Sequence, residues 1–107
     1  MKVRFAVSAY RSKNVAMHCR TEDEADTFLK YLHSIGRHWL SGRRYDEYTE
    51  WHDYGESTIY LFNKGLYGNI HGRENANLRV LEFSDFDWDI KQKKTISVIS
   101  FVEVVCF

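Results

Sequence analysis

Apolar residues recur at helical spacing in one stretch of the chain. Thr21 followed by Glu24 forms a capping box before this stretch, and Gly36 supplies the left-handed residue that ends a helix. The pattern predicts one amphipathic helix over residues 22–35, which packs its apolar stripe across a sheet. The stripe residues are three or four positions apart: Ala25, Phe28, Leu29, Leu32 and Ile35.

Alternating and β-branched apolar runs predict the strands of that sheet. In the first strand, Val3, Phe5 and Val7 alternate with polar or small residues, which is typical of a half-buried strand. Asn63-Lys64-Gly65 predicts a hairpin turn between two of the others. The sequence therefore predicts an α+β fold, an antiparallel sheet of five to six strands with the helix packed on one face. Further strands are expected over residues 15–19, 58–62, 66–70, 78–83 and 95–107.

Residues 43–56 are polar, yet their aromatic residues recur at every third position. This spacing fits an irregular loop or a 3₁₀ turn, in which side chains three residues apart eclipse. Tyr, Trp and Arg are enriched in binding hot spots, and no helix or strand pattern assigns these residues to the core. Either the segment forms a partner-binding surface, or two of its four aromatic residues fold back onto the helix and sheet. The predicted partner-binding residues are Arg43, Arg44, Tyr45, Tyr48, Trp51 and Tyr54.

Acidic and apolar residues alternate between positions 84 and 90. The aspartate spacing is that of a calcium loop, but the sixth and twelfth positions, which require Gly and Glu, are Ile90 and Ile96. The pattern instead indicates a strand-like ribbon with the carboxylates on one face. Such a ribbon is either a solvated edge or a second contact for a basic partner surface. Its acidic residues are Asp85, Asp87 and Asp89.

The composition is that of a single folded domain over residues 1–107. Hydrophobic residues make up 44% and aromatic residues 16%, which excludes extensive disorder. Cys19 and Cys106 are too few for a disulfide framework. No apolar run is long enough to cross a bilayer, and no signal peptide pattern is present. We therefore expect a cytoplasmic location and no membrane partner.

The formal charge of zero hides an uneven distribution. Residues 1–44 carry nine Lys or Arg against four Asp or Glu, a net charge of +5. Residues 45–107 carry six against eleven, a net charge of −5. This balance disfavours a nucleic-acid-binding protein with a continuous basic surface, and favours a partner or second copy with complementary charge.

No motif identifies a reaction or a metal. The five histidines and two cysteines lack the paired spacing of tetrahedral zinc sites. Patterns for a nucleophile elbow, a P-loop or a dinucleotide-binding turn are also absent from the sequence. We expect no enzymatic activity, no cofactor and no metal.

Several short motifs follow one another between Val15 and Phe86. In chain order they are His18-Cys19, Thr21, Leu29-x-x-Leu32-His33, Gly36, Trp39-Leu40-Ser41-Gly42, Tyr45 to Tyr54, Tyr60, Lys64-Gly65, Tyr67-Gly68 and Glu82-Phe83-Ser84-Asp85-Phe86. The series resembles a loose family of small proteins encoded by phages and prophages of low-GC Gram-positive bacteria. Members tend to end soon after the Ser-Asp-Phe motif, whereas this chain continues through residues 95–107. The shared motifs are structural and carry no catalytic residue.

The resemblance implies an accessory phage gene that acts in an infected bacterial host. Small non-enzymatic phage proteins often inhibit host defence, and anti-CRISPR proteins are examples. We therefore expect stoichiometric inhibition of a bacterial defence protein such as a CRISPR effector. One alternative is a sponge that holds a nucleotide-derived immune signal between Arg and aromatic side chains. Single-stranded nucleic-acid binding is a further alternative.

The last thirteen residues, 95–107, contain one charged residue, Glu103, and no proline. Both faces of a strand in this segment would be largely apolar, so it needs a central position in a sheet or pairing with a second copy. The predicted helix covers only one face of the sheet. We therefore predict a homodimer with Ile99, Phe101 and Val105 at its interface.

Overall fold

A computed structural model describes residues 2–88 of the chain. The described part contains one α-helix, α1 (Glu22–Ser34), which confirms the prediction of a single main helix in an α+β fold. Short 3₁₀ turns connect several of the strands. The strands are β1 (Val3–Arg4), β2 (Val15–His18), β3 (Thr58–Leu61), β4 (Leu66–Asn69), β5 (Arg79–Glu82) and β6 (Phe86–Asp87).

The strands form two sheets, so the prediction of one antiparallel sheet is wrong. The larger sheet has the order β4-β3-β2-β5, and β1 pairs with β6 in the smaller one. Strand β3 runs antiparallel to both β2 and β4, whereas β5 runs parallel to β2 and β6 runs parallel to β1. The alternation of apolar and polar residues marks the buried side of a strand, but it specifies neither the neighbouring strand nor its direction.

One row of side chains crosses the four-stranded sheet beneath the helix. Tyr60 lies opposite Tyr67 on β4 and opposite Met17 on β2. Met17 in turn lies beside Leu81 on β5. Met17 and Tyr60 are buried, and Tyr67 and Leu81 pack against the same cluster. This row belongs to the sheet face that α1 covers.

Both ends of α1 are capped as the sequence predicts. The Thr21 hydroxyl accepts a hydrogen bond from the Glu24 backbone N–H at 3.1 Å. At the other end, Gly36 has a φ angle of 88°, and the Arg37 N–H donates to the Leu32 carbonyl at 2.9 Å. This is the Schellman arrangement, which satisfies carbonyl groups that a helix end leaves without partners.

The apolar stripe of α1 faces the core except at its last member. Ala25, Phe28, Leu29 and Leu32 are at most 1% exposed, which confirms the predicted orientation of the helix. Ile35 is 43% exposed, so its assignment to the stripe is wrong. Ile35 is the residue at which the helix ends, and its non-helical ψ angle of 16° removes it from the helical period.

Phe5 lies at the centre of an aromatic cluster between α1 and the sheets. It is 6% exposed, but Val3 is 66% exposed and Val7 begins a 3₁₀ turn. The strand predicted over these residues is therefore present only at Val3–Arg4 and is not half-buried. Strand β1 is only two residues long, because the chain turns immediately after Phe5. The rings that surround Phe5 belong to Tyr10, Phe28, Tyr31, Phe62, Phe86 and Trp88.

The second face of the four-stranded sheet has its own apolar cluster. Ala16, Ile59 and Leu61 are buried there, and Ile70 and Leu78 pack against them. Strands β4 and β5 lie at opposite edges of the sheet and run in the same direction, so the connection over residues 70–78 must return across the sheet. That connection covers part of the face that α1 leaves open.

The structure leaves three sequence-based predictions outside the described residues. These are the strand over residues 95–107, the homodimer interface at Ile99, Phe101 and Val105, and the acidic residue Asp89. Within residues 2–88, no helix combines the length and apolar character needed to cross a membrane.

Candidate functional site

The segment between α1 and β3 is irregular, as its sequence predicts. His38 and Arg44 form an isolated antiparallel bridge, and 3₁₀ turns follow at Trp51–Asp53 and Gly55–Ser57. Two hydroxyl groups on β3 hold the second half of this segment. Tyr60 Oη donates to the Thr49 carbonyl at 2.7 Å, and Thr58 Oγ1 donates to the Gly55 carbonyl at 2.8 Å. The loop is therefore fixed to the sheet at defined points.

Two of the four loop aromatics fold back onto the core. Tyr45 is 2% exposed, and its ring centroid lies 4.7 Å from that of Trp39. Trp51 is half-buried, and its Nε1 donates to the Cys19 carbonyl at 3.2 Å. Tyr45 therefore offers almost no surface to a partner, and its contact with Trp39 packs the loop against the core.

The two predicted arginines have different surroundings. The guanidinium of Arg43 lies 4.7 Å from the ring centroid of Tyr48, which is the geometry of a cation–π contact. Arg44 donates two hydrogen bonds to Asp46, at 2.9 and 2.6 Å. This hydrogen bonding raises the pKa of Arg44 and lowers the pKa of Asp46. The charge of Arg44 is therefore matched by a neighbouring carboxylate, whereas Arg43 forms no ion pair within residues 2–88 and contacts the Tyr48 ring.

A pocket of about 350 Å³ opens beside Arg43 and Tyr48. Tyr67 also lines it, and the Tyr67 hydroxyl donates to the Asp53 carboxylate, which raises the pKa of Tyr67. Tyr54 lies beside this pocket, with its ring centroid 5.9 Å from that of Tyr67. We name the pocket and its exposed rim the aromatic surface. It comprises Leu40, Arg43, Tyr48, Tyr54, Leu66 and Tyr67.

Large apolar side chains are unusually exposed at the aromatic surface. Leu40 is 70% exposed, Tyr54 is 43% exposed and Leu66 is 42% exposed. In the described part of the chain, only Val3 and Ile35 are comparable, and they lie outside this surface. A cluster of exposed apolar residues is typical of an interaction site, whereas isolated ones are ordinary. The sequence prediction contained Arg43, Tyr48 and Tyr54 but missed Leu40, Leu66 and Tyr67, because they come from neighbouring segments.

A larger, basic groove of about 660 Å³ adjoins the aromatic surface. Trp39, Leu40 and Gly65 line both cavities. Among the described residues that line the groove there is no Asp or Glu. The basic groove is defined by five side chains from three segments: Arg11, Lys13, Arg37, His38 and Lys64. The sequence showed an excess of positive charge over residues 1–44, but did not show that these groups converge.

Two of the three aspartates of the predicted acidic ribbon, Asp85 and Asp87, lie within the described residues. Asp85 closes a 3₁₀ turn, and Asp87 lies on β6. Both aspartates are exposed, whereas Phe86 between them is buried. The two aspartates are thus exposed as expected, but Asp85 lies in a turn and not in a strand, so the predicted strand-like ribbon does not extend over both. Asp89 lies outside the described residues.

His18 makes a buried polar contact that the sequence did not reveal. Its Nδ1 lies 2.9 Å from the Glu82 carboxylate, and its Nε2 lies 2.7 Å from the Glu56 carbonyl. Carboxylate and carbonyl oxygens only accept, so both hydrogen bonds form when both ring nitrogens carry a proton. His18 is 6% exposed and links β2, β5 and the turn before β3. We interpret this cluster as structural.

The remaining candidate groups are the buried cysteine and the residue types that ligate metals. Cys19 is fully buried, and burial raises the pKa of its thiol, which lowers its reactivity. Over residues 2–88, no group of three or more His, Cys, Asp or Glu residues has the arrangement to hold a metal ion.

Strong alkali should destabilise this fold, because two buried tyrosines must stay neutral. Burial raises the pKa of Tyr45 to about 12 and also raises the pKa of Tyr60. A tyrosine of this kind contributes fully to stability below its unfolded pKa of about 10, and the contribution is lost as the pH rises through the folded value. In an alkaline titration followed by near-ultraviolet absorbance, we expect Tyr45 and Tyr60 to ionise only when the protein unfolds. Tyr45→Phe should move the alkaline unfolding midpoint to higher pH, and an unchanged midpoint would contradict this account.

Comparisons with known proteins give no match. No protein-family model matches the chain, and neither a curated protein nor a solved structure is significantly similar to it. The aromatic surface and the basic groove are therefore the features of this chain that bear on its function.

Proposed function

We propose that this protein is a phage-encoded accessory protein that binds a bacterial defence protein, such as a CRISPR effector, stoichiometrically. The aromatic surface is the proposed contact, and the exposed Asp85 and Asp87 form a second one. The observation that carries the proposal is the clustering of exposed Leu40, Tyr54 and Leu66 around one pocket. The phage and host-defence context comes from the sequence resemblance.

The composition of the aromatic surface supports protein binding. Tyrosine and arginine supply much of the binding energy at protein interfaces, because they bury large areas and keep a polar group for hydrogen bonding. Arg43 and Tyr48 already contact each other in the unbound chain, so little side-chain freedom is lost on binding. The hydrogen bonds from Tyr60 and Thr58 likewise fix the loop before a partner arrives.

The test is a charge introduced at the most exposed apolar residue of the surface. Leu40→Asp should leave the fold intact, because Leu40 is 70% exposed, and should weaken partner binding at least about tenfold, or 1.4 kcal/mol. The partner is captured from host lysate with the wild-type protein, identified by mass spectrometry and purified for calorimetry. Protection of a phage in a host that carries the identified defence system provides the functional readout.

Ile35→Asp is the matched control, because Ile35 is 43% exposed and lies outside both the aromatic surface and the Asp85–Asp87 contact. It should bind and protect like the wild-type protein. The proposal fails if Leu40→Asp binds the captured partner as tightly as Ile35→Asp. It also fails if the wild-type protein protects a phage against no host defence system.

A further inference from the structure

Within residues 2–88, some surface cations have an anionic partner, and others, such as Lys2 and Arg73, have none. Lys30 pairs with Asp26 at 3.0 Å, and Arg20 pairs with Glu82 at 3.2 Å. The four Lys and Arg residues of the groove form no ion pair within residues 2–88: Arg11, Lys13, Arg37 and Lys64. Positive charges that lie close together without counter-charges repel one another, and this repulsion destabilises the fold. An anion that binds in the groove would reduce the repulsion.

Asn63 holds the walls of the basic groove in place. Its Nδ2 donates to the Tyr10 carbonyl at 2.6 Å and to the Ser12 carbonyl at 2.7 Å. Its Oδ1 accepts from the Arg37 guanidinium at 2.9 Å. One side chain in the hairpin turn therefore joins the segment that carries Arg11 and the segment that follows α1. These hydrogen bonds preorganise the groove in the absence of a ligand.

We propose that the basic groove binds the phosphate groups of a nucleotide-type ligand. Arg11 and Arg37 supply guanidinium groups, which match phosphate oxygens geometrically, and Lys13 and Lys64 supply further positive charge. Leu40 and Gly65 belong to the wall that the basic groove shares with the pocket of the aromatic surface. A base that extends past this wall could stack on the half-buried rings of Tyr48 and Tyr67. This neighbourhood favours a nucleotide over an acidic peptide, which has no flat ring to stack.

This inference goes beyond the proposed protein binding, because the cations that would bind phosphate are not part of the aromatic surface. It also makes the sponge hypothesis drawn from the sequence more specific, since that hypothesis placed the signal between Arg and aromatic side chains without naming the arginines. Arg44 is occupied by Asp46, and Arg43 lies against Tyr48. The phosphate-binding groups are instead those of the basic groove.

The test is calorimetry of the whole chain with two phosphodiester probes and one acidic control. The probes are a cyclic dinucleotide and an oligothymidylate, and the control is a polyglutamate peptide. Lys13→Glu/Lys64→Glu should weaken binding of the phosphodiester at least about tenfold and reduce the slope of log K against log salt by about 2. Both lysines are exposed and form no hydrogen bond through their side chains within the described part of the chain, so the fold should persist.

Lys2→Glu/Arg73→Glu is the matched control, since it changes the net charge equally at exposed residues outside the basic groove. It should bind like the wild-type protein. Binding of the cyclic dinucleotide identifies a small signal as the phosphate source, and binding of the oligothymidylate alone identifies single-stranded nucleic acid. The inference is overturned if neither probe binds at about 1 mM. It is equally overturned if polyglutamate binds as tightly as the probes, or if the two double variants are weakened alike.

Discussion

Replacing Phe28 by Ala should cost about 3–5 kcal/mol of unfolding free energy, which is a large part of the stability of a domain this size. Phe28 is fully buried on α1, where its ring lies near Tyr60 on β3 and near rings that directly follow β1, β3 and β6. The expected loss includes the transfer energy of the ring and the cavity left among rigid neighbours. Urea unfolding followed by circular dichroism measures it. The neighbouring rings are those of Phe5, Tyr60, Phe62 and Trp88.

Lys30→Ala on the same helix is the control for this substitution. Lys30 is exposed and forms only an i,i+4 ion pair with Asp26, so its loss should change stability by less than about 0.5 kcal/mol. If Phe28→Ala were as stable as Lys30→Ala, the aromatic cluster would not be the core of this fold.

Replacing Gly65 by Ala should cost about 2–4 kcal/mol of unfolding free energy and disturb both the aromatic surface and the basic groove. Gly65 has a φ angle of 72°, and an added Cβ would lie 2.5 Å from the backbone nitrogen of Leu40. The Leu40 N–H donates to the Gly65 carbonyl at 2.9 Å, so the two backbones cannot separate without loss of that hydrogen bond. Urea unfolding gives the cost in stability, and calorimetry with the phosphodiester probes gives the effect on the groove.

Gly36→Ala separates backbone strain from the steric clash. Gly36 has a φ angle of 88° but nothing within 4 Å of an added Cβ, so its substitution should cost only about 1 kcal/mol. Equal losses for Gly36→Ala and Gly65→Ala would show that the contact with Leu40 does not matter. A larger loss for Gly65→Ala would show that the hairpin turn positions the wall shared by the aromatic surface and the basic groove.

Local sequence patterns predicted the elements that depend on near neighbours. The helix follows from a capping residue, an apolar period and a terminal glycine that all lie within sixteen positions, 21–36. The hairpin between β3 and β4 follows in the same way from two apolar runs and the Asn63-Lys64-Gly65 turn. In both cases the hydrogen bonds that satisfy the backbone are made within the segment itself.

The candidate surfaces were predicted only in part. Periodic aromatic residues drew attention to residues 43–56, and Arg43, Tyr48 and Tyr54 do lie at the aromatic surface. The same period could not separate these from Tyr45, which is buried against Trp39. In an irregular loop, the position of a residue in the sequence does not determine the direction of its side chain. Burial of a loop residue therefore depends on which other segments pack against it.

The sequence by itself determined the α+β class, the single helix with its caps, the hairpin and the uneven charge along the chain. Only the tertiary structure decided the parallel pairing of β5 with β2, the cover of the second sheet face by residues 70–78, and the convergence of Arg11, Arg37 and Lys64 on one groove. These features join residues far apart in the chain. Their formation depends on the closure of long loops and on the packing of the whole core, which no local pattern encodes.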